Sequence, residues 1–164
     1  MSSPICNPRR QRGGSLLEAL ISIVIFAIGT LALLAMYGRA VTTVSDTQQR
    51  TDASAFAGNL LQDVWIKIER DNAGQVLPDS LTKFAYAAGG NACGQFGGGE
   101  VEPTVIAPWL AALRMGAKSL PGAADAGMAQ VRIEPAANNR ITVVVCWRNP
   151  IDGMHRHETV AYIN

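Results

Sequence analysis

Gly13-Gly14-Ser15-Leu16-Leu17-Glu18 opens the stretch that decides the fold, and an apolar run from Ala19 to Tyr37 follows it directly. The run has about nineteen residues and no charge, which gives roughly 28 Å of helix at a rise of 1.5 Å per residue. That length matches the hydrocarbon core of a bilayer. The sequence therefore predicts a membrane-spanning helix near the N-terminus.

The residues around this run differ from those of an ordinary secretory signal, which has a shorter apolar region followed by small residues. Here the small pair Gly13-Gly14 comes before the run, and three arginines stand between residues 9 and 12. Only Arg39 follows close behind, so the positive-inside rule predicts a cytoplasmic N-terminus. Glu18 lies at the threshold of the run, where a carboxylate costs free energy unless it has a partner or a task.

This order of basic leader, glycine, glutamate and apolar helix resembles the class III signal of the type IV pilin and pseudopilin family. In that family the glutamate is the fifth residue of the mature protein, so Glu18 sets the register. The resemblance implies that a prepilin peptidase cuts between Gly13 and Gly14 and that Gly14 becomes the N-methylated first residue. The family most often has phenylalanine at the position of Gly14.

The same register divides the chain into three parts. The resemblance implies that residues 1–13 form the cleaved leader, residues 14–38 the transmembrane half of the N-terminal helix, and residues 39–164 a periplasmic head that includes the amphipathic half of the helix. Without the leader the chain has 11 basic and 13 acidic residues, a net charge of −2. No nucleic-acid partner is expected, because there is no basic surplus to release counterions from phosphates.

Cys93 and Cys146 are the cysteines that remain when the leader takes Cys6 away. An even pair in the oxidising periplasm favours a disulfide. It would close a loop of roughly fifty residues and contribute about 4 kcal/mol in the chain-entropy model. The wide spacing does not fit a Cys-x-x-Cys metal site.

Helical periodicity continues beyond the apolar run. No proline occurs from Arg9 to Leu77, and apolar residues from Phe56 to Ile68 keep three- and four-residue steps. These features predict one long helix from about Ser15 to about Arg70, apolar all round at first and amphipathic later. Asp71-Asn72-Ala73-Gly74 is the expected stop, since Gly and Asn tolerate the left-handed conformation that closes helices.

The remainder is predicted to contain loops, one short helix and three strands. Glycine-rich loops occupy most of residues 75–127, with a helix from Pro108 to Met115. Strands are predicted at Val131–Glu134, Arg140–Trp147 and Glu158–Ile163, and their short connections favour an antiparallel meander.

Alternation on the central strand separates its two faces. The face expected to pack on the Phe56–Ile68 side of the long helix carries Ile141, Val143, Val145 and Trp147. Trp65, Trp109 and Trp147 are all expected in the core. The predicted fold class is α+β and pilin-like, a long N-terminal helix packed on a small antiparallel sheet.

The sequence contains no recognisable catalytic constellation, so no enzyme, cofactor or metal site is predicted. His155 and His157 could offer two imidazoles to a metal, but no third ligand is evident, and a polar loop passing into an edge strand explains both. Glu18 is the one ionisable residue at the start of the apolar run, where a charge is costly, and we therefore expect it to have a function. The family uses it in subunit assembly, paired with the N-terminal amine of a neighbour; the alternative is that it merely snorkels to the interface.

Within the family, the chain most closely resembles PilV-type minor pilins, or type IV pilus modification proteins, on residues 15–20, 52–65 and 143–147. Major pilins commonly have a proline in the membrane half of the helix, and this chain has none. The resemblance implies an inner-membrane subunit that primes type IV pilus assembly with major and other minor pilins. It would sit at or near the pilus tip, in some systems beside a large adhesin, and support adhesion and twitching motility.

Other functions fit parts of the sequence. A pseudopilin of a type II secretion system shares the N-terminal signal. A membrane-anchored periplasmic enzyme or binding protein would need convergent polar residues, and no such set is evident. A DNA-uptake pilin would need a basic stripe on the head, which the mature charge of −2 disfavours.

Overall fold

The computed structural model describes residues 14–97, 102–116, 119–149 and 153–164. The chain divides into two compact units, Met1–Val44 and Ser45–Asn164. Within the described residues, the first unit consists of the N-terminal part of helix α1. The second unit, called the head below, contains the rest of α1, two short helices and a sheet. Gly13 and the rest of the predicted leader lie outside the described residues.

Helix α1 runs Gly14–Lys67 and confirms the predicted long helix, but it ends three residues earlier than expected. Arg70 and Val76 form an antiparallel bridge. Between them the Asp71 carboxylate accepts hydrogen bonds from the backbone N–H groups of Ala73 and Gln75, both at 2.8 Å. The segment expected to cap the helix is therefore a tight turn that reverses the chain, with Gly74 at φ 79°.

Two short helices follow. Helix α2, Pro78–Thr82, was not predicted from the sequence. Helix α3, Ala107–Met115, confirms the predicted short helix and starts one residue before Pro108. Gly116 ends it, with its N–H donating to the carbonyl of Ala112 at 3.1 Å. The buried residues of α3 are Trp109, which was expected in the core, and Leu110 and Leu113.

The sheet is the predicted antiparallel meander, with strands in the order β1, β2, β3. Strand β1 runs Ala129–Glu134, β2 runs Arg140–Asn149 and β3 runs Gly153–Tyr162. A single 3-10 turn at Pro135–Ala137 leads from β1 towards β2. Strand β3 begins five residues before the predicted start at Glu158, so the ladder with β2 is ten residues long.

The main core lies between the head part of α1 and one face of the sheet. The helix contributes Ala53, Ala57, Leu60 and Val64, all at most 1% exposed. The sheet contributes the four residues predicted for this face, Ile141, Val143, Val145 and Trp147, which belong to the same buried cluster. Each large apolar side chain removed from water stabilises the fold by about 1.5–3 kcal/mol. The amphipathic stretch of α1 thus has the predicted partner.

The other face of β2 is covered by the glycine-rich loop. Val144 and Cys146 form a second buried cluster with Phe96 and Met128. Cys93 of the loop and Cys146 of β2 form a disulfide, with their Cα atoms 5.9 Å apart. Strand β2 is consequently buried on both faces.

Trp65 does not lie in the core as expected, because its side chain is 48% exposed. It follows Val64, the last buried residue of the helix stripe, and so points about one hundred degrees away around the helix. The Arg70 guanidinium lies 5.6 Å from the centre of the Trp65 ring. Trp109 and Trp147 are buried as predicted.

Candidate functional site

The N-terminal segment of α1 carries the residues predicted to act in processing and assembly. Gly14 is the first residue of the helix, and Glu18 is exposed four residues later. Residues at this spacing lie on the same helical face, about 6 Å apart along the axis. Gly13, the other residue of the predicted cleavage site, lies outside the described residues.

The apolar side chains of this segment are exposed, because no other described residue packs against them. From Leu16 to Tyr37 the large apolar residues are between 51% and 73% exposed, and no described residue from 14 to 44 is buried. By length and composition α1 can cross a membrane. Because each such side chain favours an apolar environment by a few kcal/mol, this surface is suited to contact with lipid or with other helices.

Two hydroxyl groups within the apolar run are bonded inside the helix. Ser22 Oγ donates to the carbonyl of Glu18 at 2.7 Å, and Thr30 Oγ1 donates to the carbonyl of Ala27 at 2.9 Å. Polar groups in hydrocarbon must be paired internally, since no water is available to them. These two hydroxyl groups are therefore compatible with a membrane-spanning helix.

A cluster of polar side chains joins α1 to β3 in the head. The Arg50 Nε donates to Asp46 Oδ2 at 2.8 Å, and Arg50 Nη2 lies 3.5 Å from His155 Nδ1. His155 Nε2 is 3.9 Å from Asp46 Oδ1, and the imidazole stacks on the Trp147 ring at 5.4 Å between centroids. The side chain of His155 is only 14% exposed. These contacts fasten the edge strand to the helix.

The two histidines lie within β3 and not where a loop enters a strand, so that part of the sequence interpretation is wrong. His157 Nε2 is 3.0 Å from the hydroxyl of Thr159, and His155 is engaged by the cluster just described. Among the residues that the structure describes, no three His, Cys, Asp or Glu side chains group as metal ligands. Both imidazoles therefore have contacts within the protein.

An open polar groove lies beside the start of the head. It is lined by Ser45, Gln48, Gln49, Asp52, Ser119, Leu120 and Pro121. Asp52 is the one ionisable residue of this lining, and the lining contains no histidine or lysine of the kind that activates a serine nucleophile. The groove gives no basis for a reaction mechanism.

Two arginines of the head have a raised pKa. For Arg114, burial acts to lower the pKa, but hydrogen bonds and charge interactions with Glu102 and Tyr86 together outweigh it. For Arg140, the hydrogen bond and the charge of Glu134 raise the pKa. Neither guanidinium changes charge near neutral pH, so both pairs are fixed contacts between neighbouring parts of the head.

Comparison with known families agrees with this N-terminal geometry. Residues 8–34 match the family model described as the prokaryotic N-terminal methylation motif. The matched range includes Gly13, Gly14 and Glu18 and ends within the apolar part of α1. It supports a type IV pilin-like protein of a pilus or pseudopilus, processed by a prepilin peptidase and assembled into a filament. No curated protein and no solved structure gives a significant match.

Proposed function

We propose that this chain is a minor pilin that primes type IV pilus assembly and sits at or near the pilus tip, supporting adhesion and twitching motility. The observation that carries the proposal is the continuity of α1. The methylation motif at residues 8–34 leads into a helix that extends without a break from Gly14 to Lys67, and this helix ends in an α+β head. In this proposal the apolar N-terminal part of α1 lies in the membrane or the filament core, and the head makes contacts outside it.

Cleavage between Gly13 and Gly14 would create a positively charged N-terminal amine on Gly14, with which a Glu18 carboxylate could pair. The new N-terminal amine would stand one helical turn from Glu18 on the same face. When helices of neighbouring subunits pack through their exposed apolar surfaces, both charges enter a medium of low dielectric constant. An isolated charge costs several kcal/mol there, so the carboxylate of one subunit pairs with the terminal amine of the next.

Several features support a minor subunit over a major one. The membrane half of α1 has no proline, and the helix is uninterrupted through the described residues 14–67. The resemblance to PilV-type minor pilins extends to the Asp52–Trp65 segment of α1 and the Val143–Trp147 part of β2. In this proposal the partners are the prepilin peptidase, the major pilin, other minor pilins and a tip adhesin.

The proposed location follows from charge and cysteine usage. The arginines between residues 9 and 12 keep the N-terminus cytoplasmic, and the head lies in the periplasm until the subunit enters the pilus. An oxidising compartment is also where a disulfide between Cys93 and Cys146 persists. Charge and cysteine usage therefore favour the same orientation, with a cytoplasmic N-terminus and a periplasmic head.

The experiment that tests the role of Glu18 compares Glu18→Ala with Ser22→Ala in the native host. Both changes lie on α1 one turn apart, but only the first removes the proposed partner of the neighbour's amine. We expect both variants to reach the inner membrane and only Glu18→Ala to be depleted from sheared filaments. Normal filament number and normal incorporation of Glu18→Ala would overturn the assembly role.

A deletion of the gene separates a pilus from a secretion pseudopilus. Loss of surface pili and twitching, with the protein present in sheared pili at far lower amounts than the major pilin, is the outcome that the proposal predicts. Intact pili with a loss of protein export would instead assign the chain to a type II secretion system.

A further inference from the structure

The polar groove at the start of the head contains a hydrogen-bond acceptor that no described residue satisfies. Part of its lining is a polar stripe of α1 at positions i, i+3, i+4 and i+7, namely Ser45, Gln48, Gln49 and Asp52. The rest of the lining comes from the segment after α3, Ser119, Leu120 and Pro121. Gln49 Oε1 is buried and has no hydrogen-bond partner among the described residues. Because an unsatisfied buried acceptor costs free energy, the groove favours a group that donates hydrogen bonds.

Asp52 gives this groove a negative charge that has no partner in the described chain. The other two acids in the head part of α1 each pair with a base four residues later, Asp46 with Arg50 and Asp63 with Lys67. The positions three and four residues from Asp52 carry glutamine, alanine and phenylalanine, so α1 offers it no ion pair. Asp52 also makes no hydrogen bond or ion pair with any other residue that the structure describes. The groove is therefore suited to a positively charged group.

The size and lining of the groove fit one long basic side chain. Its volume is about 270 Å³, smaller than the about 300–1,000 Å³ that is typical of pockets for drug-sized ligands. Leu120 and Pro121 add an apolar part to the lining, on which the methylene stem of a basic side chain can pack. A guanidinium presents several N–H donors in one plane and can bind a carboxylate through two hydrogen bonds. Arginine therefore fits the groove better than lysine, whose ammonium is a compact point charge.

The groove lies on the part of α1 that follows the exposed apolar segment. Ser45 is the first residue of the head unit, and no described residue from 14 to 44 is buried. In the proposed function the apolar segments of neighbouring subunits pack side by side, so the α1 helix of a neighbour passes close to the groove in the same orientation. A side chain of that neighbour can enter the open groove from the side. This contact keeps all subunits in the single orientation that a shared membrane imposes.

We propose that this groove binds an arginine side chain of an adjacent, different pilin, with the guanidinium paired to Asp52 and hydrogen-bonded to the amide oxygen of Gln49. The inference rests on the proposed function, because the arginine comes from a neighbour in the filament. The neighbour is a different pilin, since a subunit of low abundance has few copies of itself beside it. A bidentate ion pair depends on position as well as on charge, so the contact fixes the axial position of this subunit against its neighbour.

Photo-cross-linking in the native host tests the contact directly. The full-length chain carries p-benzoylphenylalanine in place of Gln48, which lines the groove beside Asp52. After irradiation of the cells, we expect one main adduct with another pilin, and the cross-linked peptide of that pilin should contain an arginine. The absence of an adduct, an adduct with a second copy of this chain or with a protein that is not a pilin, or a peptide without arginine would overturn the proposal.

Asp52→Asn removes the charge from the groove and keeps the shape of the side chain. We expect roughly tenfold less adduct, the effect of losing a hydrogen bond between charged groups. Asp52→Glu keeps the carboxylate and should retain most of the adduct. Asp79→Asn is the matched control, because it removes another acid of the head that lies on α2 and outside the groove. Equal amounts of adduct in Asp52→Asn and Asp79→Asn would contradict the role of the Asp52 carboxylate.

The amount of the chain in sheared filaments distinguishes this inference from the proposed function. We expect Asp52→Asn to reach the membrane at the normal level and to be reduced severalfold in filaments. If the unchanged chain enters filaments and Asp52→Asn enters them equally well, the groove contact alone is overturned. If the unchanged chain is absent from filaments, the proposed function is overturned and the groove contact with it.

Discussion

Replacing Cys93 and Cys146 together by serine should lower the free energy of unfolding of the head by about 4 kcal/mol without unfolding it. The two cysteines are 53 residues apart in sequence. In the chain-entropy model, a cross-link of this span removes about 4 kcal/mol of conformational freedom from the unfolded chain at 25 °C. A domain of ordinary stability, about 5–15 kcal/mol, remains folded after such a loss.

The glycine-rich loop is expected to stay in place because other contacts also hold it. The buried amide of Gln130 donates towards the carbonyls of Ala87, Gly89 and Gly90, at 2.9, 3.2 and 3.1 Å. Gly89 and Gly97 exchange two backbone hydrogen bonds, at 2.7 and 3.1 Å. The disulfide therefore fastens a loop that is already bound to the sheet.

Denaturant titration followed by tryptophan fluorescence measures this effect. All three tryptophans lie in the head, so the signal reports the head even when the full chain is kept in detergent. Cys6→Ser alone is the control and should leave the midpoint unchanged. An unchanged midpoint in the double variant, or a head already unfolded without denaturant, would refute the reasoning.

Two further stability predictions can be checked by the same titration. Leu60→Ala should lower the free energy of unfolding by about 2–5 kcal/mol, because Leu60 is 1% exposed against the sheet. Ile66→Ala, at 79% exposure, should change it by less than about 0.5 kcal/mol. Gly90→Ala should cost clearly more than Gly74→Ala, although both glycines have φ +79°. A Cβ at Gly90 would lie 2.3 Å from the carbonyl oxygen of Gln95, whereas a Cβ at Gly74 meets nothing within 4 Å. Similar losses within either pair would contradict these assignments.

The sequence was most informative where a periodicity is local. The three- and four-residue steps of α1 and the alternation of β2 identified both faces of the main core, because burial of a helix or strand face imposes those periods directly. The short helix α3 was also predictable, with proline in its first turn and Gly116 after its end.

Contacts between distant residues could not be predicted. The end of α1 depends on the bridge between Arg70 and Val76, which turns Asp71–Gly74 back on itself. The spacing of Asp46 and Arg50 indicates a helical ion pair, but their contact with His155 joins residues more than a hundred positions apart. The role of Gln130 beneath the glycine loop has no signal in the sequence, since a polar residue in a strand is usually expected to face water.

Mass spectrometry of the chain with and without its prepilin peptidase tests the central claim most directly. If the chain is a type IV pilin-like subunit, the peptidase removes residues 1–13, and the mature protein starts at Gly14 with an added methyl group on its amine. A chain that stays uncut, or that is cut after the apolar run ending at Tyr37, would contradict the account.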